Sequence, residues 1–395
     1  MFSLFSMGAG LVAFLLAARW TASKAGLAFA GLVGVGLTAW GAGWMLFGRQ
    51  GHAGVAGVYA VGMMGLMSVL AGVYVFRPAQ VPDRTPQPGP DTVFWALSTG
   101  SRLAYTFFPA VGKPHPAPVV YLHGGPGSPI RAGNFDFFRQ LTEDGYDVYM
   151  YDQVGTGLSD RLPDIAGYTL ARNVADLEAI RQTLGVEKLV LIGSSWGGVL
   201  AAHYMAAYPN RVEKVVFLSP GVLGDRTGVT YDYSRTASAE YKGVVLPSLR
   251  FILAGALARS NPEAAQNFAP QAEMGRVYDA FISAPSVEYQ VNCKGYRPPS
   301  ETPTRSGGAN YYVNLLTLQS LKAAPDPRPA LQTNPTPALI LHGECDYIPR
   351  EVTLRYKETL PRAEFVDVPN AGHALTSAQP EVVLAAIRAF LLGER

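Results

Sequence analysis

The first 80 residues are almost free of charge, and this constrains the fold of the chain more than any other feature. They contain no Asp or Glu, and three apolar runs (residues 1–18, 25–48 and 53–76) contain no charged side chain at all. A helix needs about 20 apolar residues to cross the hydrocarbon core of a bilayer. The second and third runs reach that length and the first is marginal, so we expect about three transmembrane helices within residues 1–77.

Two alternatives bear on this segment. The first run could be a cleaved signal peptide, but it lacks the positively charged start that such peptides carry. The second and third runs could be buried helices of a soluble protein, although their length and lack of charge argue against it. Residues 78–91 are rich in proline and predict an extended linker.

The positive charges at the ends of these runs predict an orientation. With three spans, Arg19 and Lys24 lie on the same side of the membrane as Arg77, and Arg49 lies on the other side. Cytoplasmic loops carry an excess of Lys and Arg. We therefore expect a multi-pass protein of the inner or plasma membrane, in contact with its lipids, with the rest of the chain in the cytoplasm.

Composition excludes several other classes of protein. The net charge is +2, and residues 1–80 contribute four cations, so the remainder is close to neutral. Such a body offers no basic surface for nucleic acid. The two cysteines are too few for a disulfide-rich scaffold or a Cys-rich zinc site.

Beyond the linker, short apolar runs alternate with helical patterns. This alternation predicts an α/β fold with a mostly parallel sheet and helices on both faces. The core is expected in residues 92–219 and 336–395, and residues 220–335, which lack strong strand candidates, are expected to be an inserted cap. The predicted strands are 92–97, 101–108, 118–122, 146–151, 188–193, 212–218, 337–343 and 363–368, and the predicted helices are 169–184, 196–208, 350–359 and 380–392.

One motif indicates nucleophilic chemistry. Residues 188–198 read KLVLIGSSWGG, in which Gly193, Ser195 and Gly197 satisfy G-x-S-x-G between a strand and a helix. This turn lifts a serine hydroxyl above the edge of a sheet. A glycine-rich turn with an idle serine is the alternative, but the flanking strand and helix favour Ser195 as a nucleophile.

A serine nucleophile needs a base, and the base needs an acid to orient it. Asp346 follows the strand at 337–343, and His373 is the only histidine after the strand at 363–368. Their order along the chain, Ser then Asp then His, fits this class of elbow. Taken singly, Asp346 could cap a helix and His373 could be an ordinary loop residue, but together they predict a triad.

The tetrahedral intermediate of acyl transfer needs two backbone N–H groups that stabilise its oxyanion. One is expected from Trp196, directly after the nucleophile, and the other from Gly125 in the loop HGGPG, with Gly124 as second choice. His123 in that loop precedes the serine in the chain, so we interpret it as structural.

Taken together, HGGPG, DQVGTGLS (152–159), GSSWGG, HGECD and AGH resemble the α/β-hydrolase fold, and specifically its proline iminopeptidase-like family of serine hydrolases. The resemblance covers about residues 92–395. It implies eight strands, a helical cap at 220–335, and hydrolysis of a small molecule or short peptide without a metal or cofactor.

Two departures from that family affect substrate choice. Val154 replaces the arginine of the usual D-Q-R-G motif, and Ala309 aligns with a glutamate that helps hold the substrate ammonium in proline iminopeptidases. Tyr311 and Tyr312 are candidate substrate-binding residues, although most cap aromatics are expected to be ordinary core. The cap carboxylates that could replace the missing glutamate are Glu240, Glu273, Glu288 and Glu301.

The sequence therefore predicts a membrane-anchored serine hydrolase that cleaves a peptide or amide bond through an acyl-enzyme. A carboxylesterase or lipase-like enzyme acting on small or membrane-derived esters is the second hypothesis. A membrane receptor or scaffold with an inactive hydrolase body is the third, and it predicts a broken triad.

Overall fold

The computed structural model describes residues 2–84, 86–88, 92–240, 247–295 and 307–393. The chain forms two compact units. The helical unit comprises Met1–Val81, Asp164–Ala166 and Leu246–Val277, and the sheet unit comprises Pro82–Pro163, Gly167–Val245 and Tyr278–Arg395. The predicted linker and cap each include residues outside the described ranges, namely 85, 89–91, 241–246 and 296–306.

The helices and strands are numbered in chain order. The helices are α1 (Phe2–Ala17), α2 (Lys24–Phe47), α3 (Ala53–Ala71), α4 (Ala132–Arg139), α5 (Leu170–Thr183), α6 (Trp196–Ala207), α7 (Leu249–Ser260), α8 (Pro262–Phe268), α9 (Gln271–Ile282), α10 (Pro285–Gln290), α11 (Tyr311–Ala323), α12 (Arg328–Leu331), α13 (Arg350–Thr359), α14 (Leu375–Ala378) and α15 (Pro380–Leu392). The strands are β1 (Val93–Ala96), β2 (Arg102–Phe108), β3 (Val119–Leu122), β4 (Val148–Tyr151), β5 (Leu189–Ser194), β6 (Val212–Leu218), β7 (Ala338–Gly343) and β8 (Ala363–Val368).

Among the described residues of the helical unit, two helices, rather than the three expected, are long and apolar enough to cross a membrane. They span Lys24–Gln50 (27 residues, mean hydropathy 1.6) and Ala53–Phe76 (24 residues, mean hydropathy 1.8). Helix α1 has 16 residues, which at 1.5 Å per residue reach about 24 Å, short of a hydrocarbon core of about 30 Å. Core helices of soluble proteins and signal sequences can have the same length and composition.

Small residues bring α1, α2 and α3 into close contact. A Cβ atom built on Gly34 would lie 2.9 Å from the carbonyl oxygen of Ala9, and one on Gly43 would lie 2.9 Å from the Cα atom of Ala56. Close approach of this kind lets backbones pack through van der Waals contact without large side chains between them.

The helical unit also contains α7, α8 and most of α9, which lie within the predicted cap. Phe268 packs edge to face against Phe14 and Phe76, with ring centroids 5.7 and 5.9 Å away. The side-chain amide of Asn261 donates to the carbonyl oxygen of Ala18, 2.7 Å away, just beyond the end of α1. The predicted cap at 220–335 is thus divided between the two units, and its role as a cap stays a prediction.

The sheet unit is built on one eight-stranded sheet in the order β1-β2-β4-β3-β5-β6-β7-β8. Strands β1 and β2 pair antiparallel, β2 pairs antiparallel with β4, and the remaining pairs are parallel. Strands β3 and β7 are buried along their whole length, as runs of Val, Leu and Ile covered on both faces should be. The prediction of a mostly parallel eight-stranded sheet is confirmed.

Candidate active site

The turn between β5 and α6 holds Ser195 in a conformation that few residues adopt. Its φ and ψ angles are 54° and −114°, and such a backbone persists only where the surroundings enforce it. The N–H of Ser195 donates to the carbonyl oxygen of Leu218 (2.9 Å), and its own carbonyl oxygen accepts from the N–H of Gly221 (3.0 Å). The turn is therefore fixed to the end of β6.

The glycines of the motif are required by close approach of the backbone. A Cβ atom on Gly193 would lie 2.5 Å from the carbonyl oxygen of Gly197. A Cβ atom on Gly197 would overlap the carbonyl oxygen of Leu122. Only residues without a side chain leave room for this elbow.

The loops after β7 and β8 bring Asp346 and His373 together. Nδ1 of His373 lies 3.0 Å from Oδ1 and 3.1 Å from Oδ2 of Asp346. The Asp346 side chain is fully buried and that of His373 is 11% exposed. Among the described residues no hydrogen bond joins Ser195 to His373, and such bonds are often loose without substrate.

The charge state of Asp346 follows from its neighbours. Burial by itself would raise the pKa of this carboxyl group, but its attraction to His373, the hydrogen bond from that ring and the N–H of Ile348 hold the pKa below its usual value. Asp346 is therefore ionised at neutral pH and can orient the imidazole of His373.

The loop after β3 passes directly beside the serine. A Cβ atom on Gly124 would lie 3.2 Å from the Cβ atom and 3.8 Å from Oγ of Ser195. Gly125 has a φ of +126°, which favours glycine. Trp196 opens α6, where backbone N–H groups lack an acceptor within the helix. The structure thus places Gly124 next to Ser195, while the donor roles of Gly125 and Trp196 stay predictions.

His123 holds this loop in place, as expected for a structural residue. Its Nε2 accepts from the N–H of Gln153 (2.9 Å), and its Nδ1 lies 2.9 Å from the carbonyl oxygen of Gly124, to which it donates. The ring is 2% exposed, and burial lowers its pKa. Both ring nitrogens are used, so His123 is not available as a general base.

Gln153 was not singled out by the sequence, yet it connects the two loops beside Ser195. Its side chain donates to the carbonyl oxygen of His123 (2.9 Å) and accepts from the indole N–H of Trp196 (2.8 Å). The one sequence signal that could have pointed to Gln153 is its position next to Asp152, directly after a predicted strand.

Tyr311 and Tyr312 are the first two residues of α11, and they differ in how deeply they are buried. Tyr312 is completely buried, whereas Tyr311 is half-buried and lies 5.9 Å from Tyr278 between ring centroids. Only Tyr311 therefore keeps accessible surface for a substrate. Tyr312 packs in the core, and the predicted roles of both tyrosines in substrate binding stay predictions.

A carboxylate that sequence analysis missed lies beside Ala309. Asp279 accepts hydrogen bonds from the N–H groups of Gly308 (3.0 Å) and Ala309 (2.9 Å), and burial raises its pKa. No local pattern links it to residues 30 positions later. Of the carboxylates named from the sequence, Glu273 is bound to Arg250 and Glu288 lies 3.6 Å from Arg131. The side chains of Glu240 and Glu301 lie outside the described part of the structure.

Tyr347, directly after the candidate acid, packs against the candidate base. Its ring centroid is 4.6 Å from that of His373, and Tyr233 stacks on its other side at 5.3 Å. Cys345, directly before the acid, forms a disulfide with Cys293. Neither contact was predicted, because both join segments far apart in the chain.

Comparison with known proteins identifies relatives of this chain. A proline iminopeptidase of Xylella fastidiosa is 27% identical over 287 residues, which are 69% of this chain and 88% of the relative. A proline iminopeptidase of Heyndrickxia coagulans is 39% identical over 122 residues, but the match covers only 41% of that enzyme. A cis-3-alkyl-4-alkyloxetan-2-one decarboxylase of Shewanella oneidensis is 25% identical over 305 residues, 74% of this chain and 86% of the relative.

Solved structures agree on the fold. An esterase from Thermogutta terrifontis superposes with a TM-score of 0.51 at 24% identity, covering 80% of this chain and 99% of the esterase. A bromoperoxidase from Bacillus anthracis gives 0.54 at 21% identity, with 76% and 99% covered. Residues 117–376, more than half of the chain, match the family described as alpha/beta hydrolase fold. The chain therefore belongs to the α/β-hydrolase fold family.

Proposed function

We propose that this protein is a serine hydrolase of the proline iminopeptidase type that cleaves a small peptide or amide through an acyl-enzyme on Ser195. The observation that carries the proposal is the hydrogen bond between His373 and a buried, ionised Asp346. Asp346 follows β7 and His373 follows β8, and both therefore lie at the same edge of the parallel sheet as Ser195, which follows β5.

The proposed reaction follows from these positions. Ser195 Oγ attacks the substrate carbonyl while His373 Nε2 takes its proton and then returns it to the leaving amine. Asp346 holds the imidazole in the required tautomer. The backbone N–H groups of Trp196 and of Gly125, or of its neighbour Gly124, stabilise the oxyanion. Water then releases the acyl group by the same route.

Labelling with a fluorophosphonate tests this proposal. The probe should react with wild-type protein and not with Ser195→Ala, and hydrolysis should fall by roughly 10⁴-fold or more because the triad acts as a unit. Ser194→Ala is the matched control, since the neighbouring hydroxyl has no assigned role, and it should keep both signals. Undiminished labelling of Ser195→Ala would refute the assignment.

Hydrolysis of small or membrane-derived esters is the second candidate. Ala309 stands where proline iminopeptidases are expected to carry a glutamate, and the nearby Asp279 already binds two backbone N–H groups. A site whose described carboxylates, Asp279 and Glu288, already have partners has less reason to demand a substrate ammonium. An inactive receptor or scaffold is not favoured, because it predicts a broken acid–base pair.

We further propose that α2 and α3 anchor the protein in a membrane. Of the most apolar 18-residue stretch of each helix, only 22% is buried in α2 and only 11% in α3, so neither is a core helix of the unit that contains it. The charges at Arg19, Lys24 and Arg77 favour a cytoplasmic body, whereas the Cys293–Cys345 disulfide belongs to a class that is rare in the cytosol, so the orientation needs a direct test. An impermeant thiol reagent should fail to label Gln87→Cys in intact cells and should label it after lysis. Labelling of intact cells would contradict this orientation.

A further inference from the structure

The segment Val291–Lys294, here called the tether segment, follows α10 and lies against the loop that carries His373. The carbonyl oxygen of Val291 accepts from the N–H of Ala374 at 3.2 Å. On the other side of the histidine, a Cβ atom on Gly372 would overlap the same carbonyl oxygen and lie 2.9 Å from the Cα atom of Asn292. The tether segment thus contacts the backbone on both sides of His373.

A covalent bond ties the same segment to the loop of the candidate acid. Cys293 forms a disulfide with Cys345, and their Cα atoms are 5.5 Å apart. Cys345 directly precedes Asp346, and its N–H donates to the carbonyl oxygen of Ala371 at 3.0 Å. The loops of Asp346 and His373 are therefore joined to each other and to the tether segment.

The tether segment is also held from its other side. The N–H of Ala237 donates to the carbonyl oxygen of Asn292 at 2.9 Å, and the N–H of Lys294 donates to that of Arg235 at 3.3 Å. Thr236 and Cys293 form an isolated antiparallel bridge. Apart from the disulfide, these links are single hydrogen bonds, so the covalent bond is the strongest of them.

We propose that the Cys293–Cys345 disulfide is a positioning link that holds His373 and Asp346 in the relative position that catalysis requires, so that its reduction slows turnover. This inference rests on the proposed triad. In the reduction, one thiolate of a dithiol attacks a cysteine Sγ, the S–S bond breaks, and the second thiol of the reagent resolves the mixed disulfide. Two electrons pass from the dithiol, which becomes a cyclic disulfide, and both cysteines end as thiols. Cys293 is half-buried, so the reagent can reach it.

The test compares oxidised and reduced full-length protein in detergent, with free thiols counted by mass spectrometry. Dithiothreitol should lower kcat for a short-chain p-nitrophenyl ester by on the order of tenfold to a hundredfold, the cost of displacing reacting groups by about 1 Å. KM should change little, and reoxidation should restore kcat. The rate of fluorophosphonate labelling should fall in parallel, which provides a readout independent of the chosen ester.

Variants separate positioning from general damage. Cys293→Ser/Cys345→Ser should show the low kcat from the start and no response to dithiothreitol. Gly372→Ala, which pushes on Val291 without touching the disulfide, should also lower kcat. Gly133→Ala is its control, because a Cβ atom there meets nothing within 4 Å.

Three outcomes would overturn the proposal. The first is an unchanged kcat after complete reduction, and the second is a loss of kcat/KM that comes entirely from a higher KM. The third is the presence of free thiols in protein purified under oxidising conditions. If Ser195→Ala remains as active as wild type, the proposed triad fails instead. If wild type is labelled at Ser195 but ignores reductant, only the positioning link fails.

Discussion

The helical unit and the sheet unit each bury a pair of oppositely ionising side chains, and the pairs differ in what their polar atoms bind. In the helical unit, the side chains of Arg250 and Glu273 are about 5% exposed, and Nε of Arg250 lies 2.7 Å from Oε1 of Glu273. Arg250 also donates to the carbonyl oxygens of Val75 (2.9 Å) and Phe268 (2.8 Å), and Glu273 accepts from the N–H of Ala79 (2.9 Å). The atoms of this pair are largely occupied by backbone groups near the ends of helices.

The pair in the sheet unit is less fully bonded. Nδ1 of His373 is bound to Asp346, while none of the described residues hydrogen-bonds its Nε2. A pair whose polar groups are satisfied by backbone stabilises the fold, whereas a pair with a spare proton-transfer atom can perform chemistry. Burial and charge alone do not distinguish the two cases.

The largest expected effect is on the stability of the helical unit. Arg250→Met leaves Glu273 buried without its partner, which typically costs 3–5 kcal/mol, roughly the value for breaking a buried pair. The thermal midpoint in detergent should fall clearly. Arg102→Met is the control, because its pair with Asp160 is about half exposed and such pairs contribute at most about 1 kcal/mol.

A double variant tests whether the loss comes from the uncompensated charge. Arg250→Met/Glu273→Leu should recover part of the stability, because no buried carboxylate is then left unpaired. If Arg250→Met unfolds at the same temperature as wild type, the contrast between the two pairs is wrong.

The next effect concerns substrate choice in the sheet unit. A free substrate ammonium in a desolvated pocket needs a carboxylate, and Ala309 does not supply one. The ratio of kcat/KM for a prolyl amide to that of its N-acetyl counterpart should therefore stay below about a hundredfold, which corresponds to roughly 2.8 kcal/mol at 1.4 kcal/mol per tenfold change. A short-chain ester should be cleaved at a comparable rate. A larger preference would mean that another carboxylate binds the ammonium and that our use of Ala309 is mistaken.

The smallest expected effect is a pH dependence that distinguishes Asp346 from an ordinary exposed carboxylate. Because the pKa of Asp346 is lower in the folded state, its ionised form stabilises the fold fully above the unfolded-state value of about 3.9. This contribution is lost as the pH falls through the lower folded-state pKa. The difference in thermal midpoint between wild type and Asp346→Asn should thus be present at pH 6 and shrink below about pH 4. A difference that grows toward acid pH would contradict this sign.

Local patterns account for what the sequence predicted well. The strands predicted at 188–193 and 337–343 are observed at Leu189–Ser194 and Ala338–Gly343, because runs of Val, Ile and Leu between turn residues are typical of buried strands. The order of Ser195, Asp346 and His373 then follows from the motif and the strand ends. The contacts missed were those of Gln153, Asp279, Tyr347 and the two cysteines. They depend on which distant segments pack together, and no periodicity records that.

The same limit explains the helical unit. Hydropathy identified α2 and α3 from composition alone, but it also counted the marginal first run as a span, and α1 has only 16 residues. It also gave no sign that α7 and α8, far along the chain, would pack with the N-terminal helices. Phe268 and Asn261 carry ordinary apolar and capping signals, and their contacts with Phe14 and Ala18 appear only in three dimensions.

The hydrogen bond from Asn261 to Ala18 has a consequence for how the protein is made. The carbonyl group just beyond α1 receives this partner only after 243 further residues have been synthesised. The helical unit is therefore completed late, when most of the sheet strands already exist. Deleting residues 1–81 to obtain a soluble fragment would uncover Phe268, and it would remove the carbonyl of Val75 from Arg250 and the N–H of Ala79 from Glu273. The N-terminal helices are in this sense part of the folded enzyme, and a shortened version should be expected to aggregate.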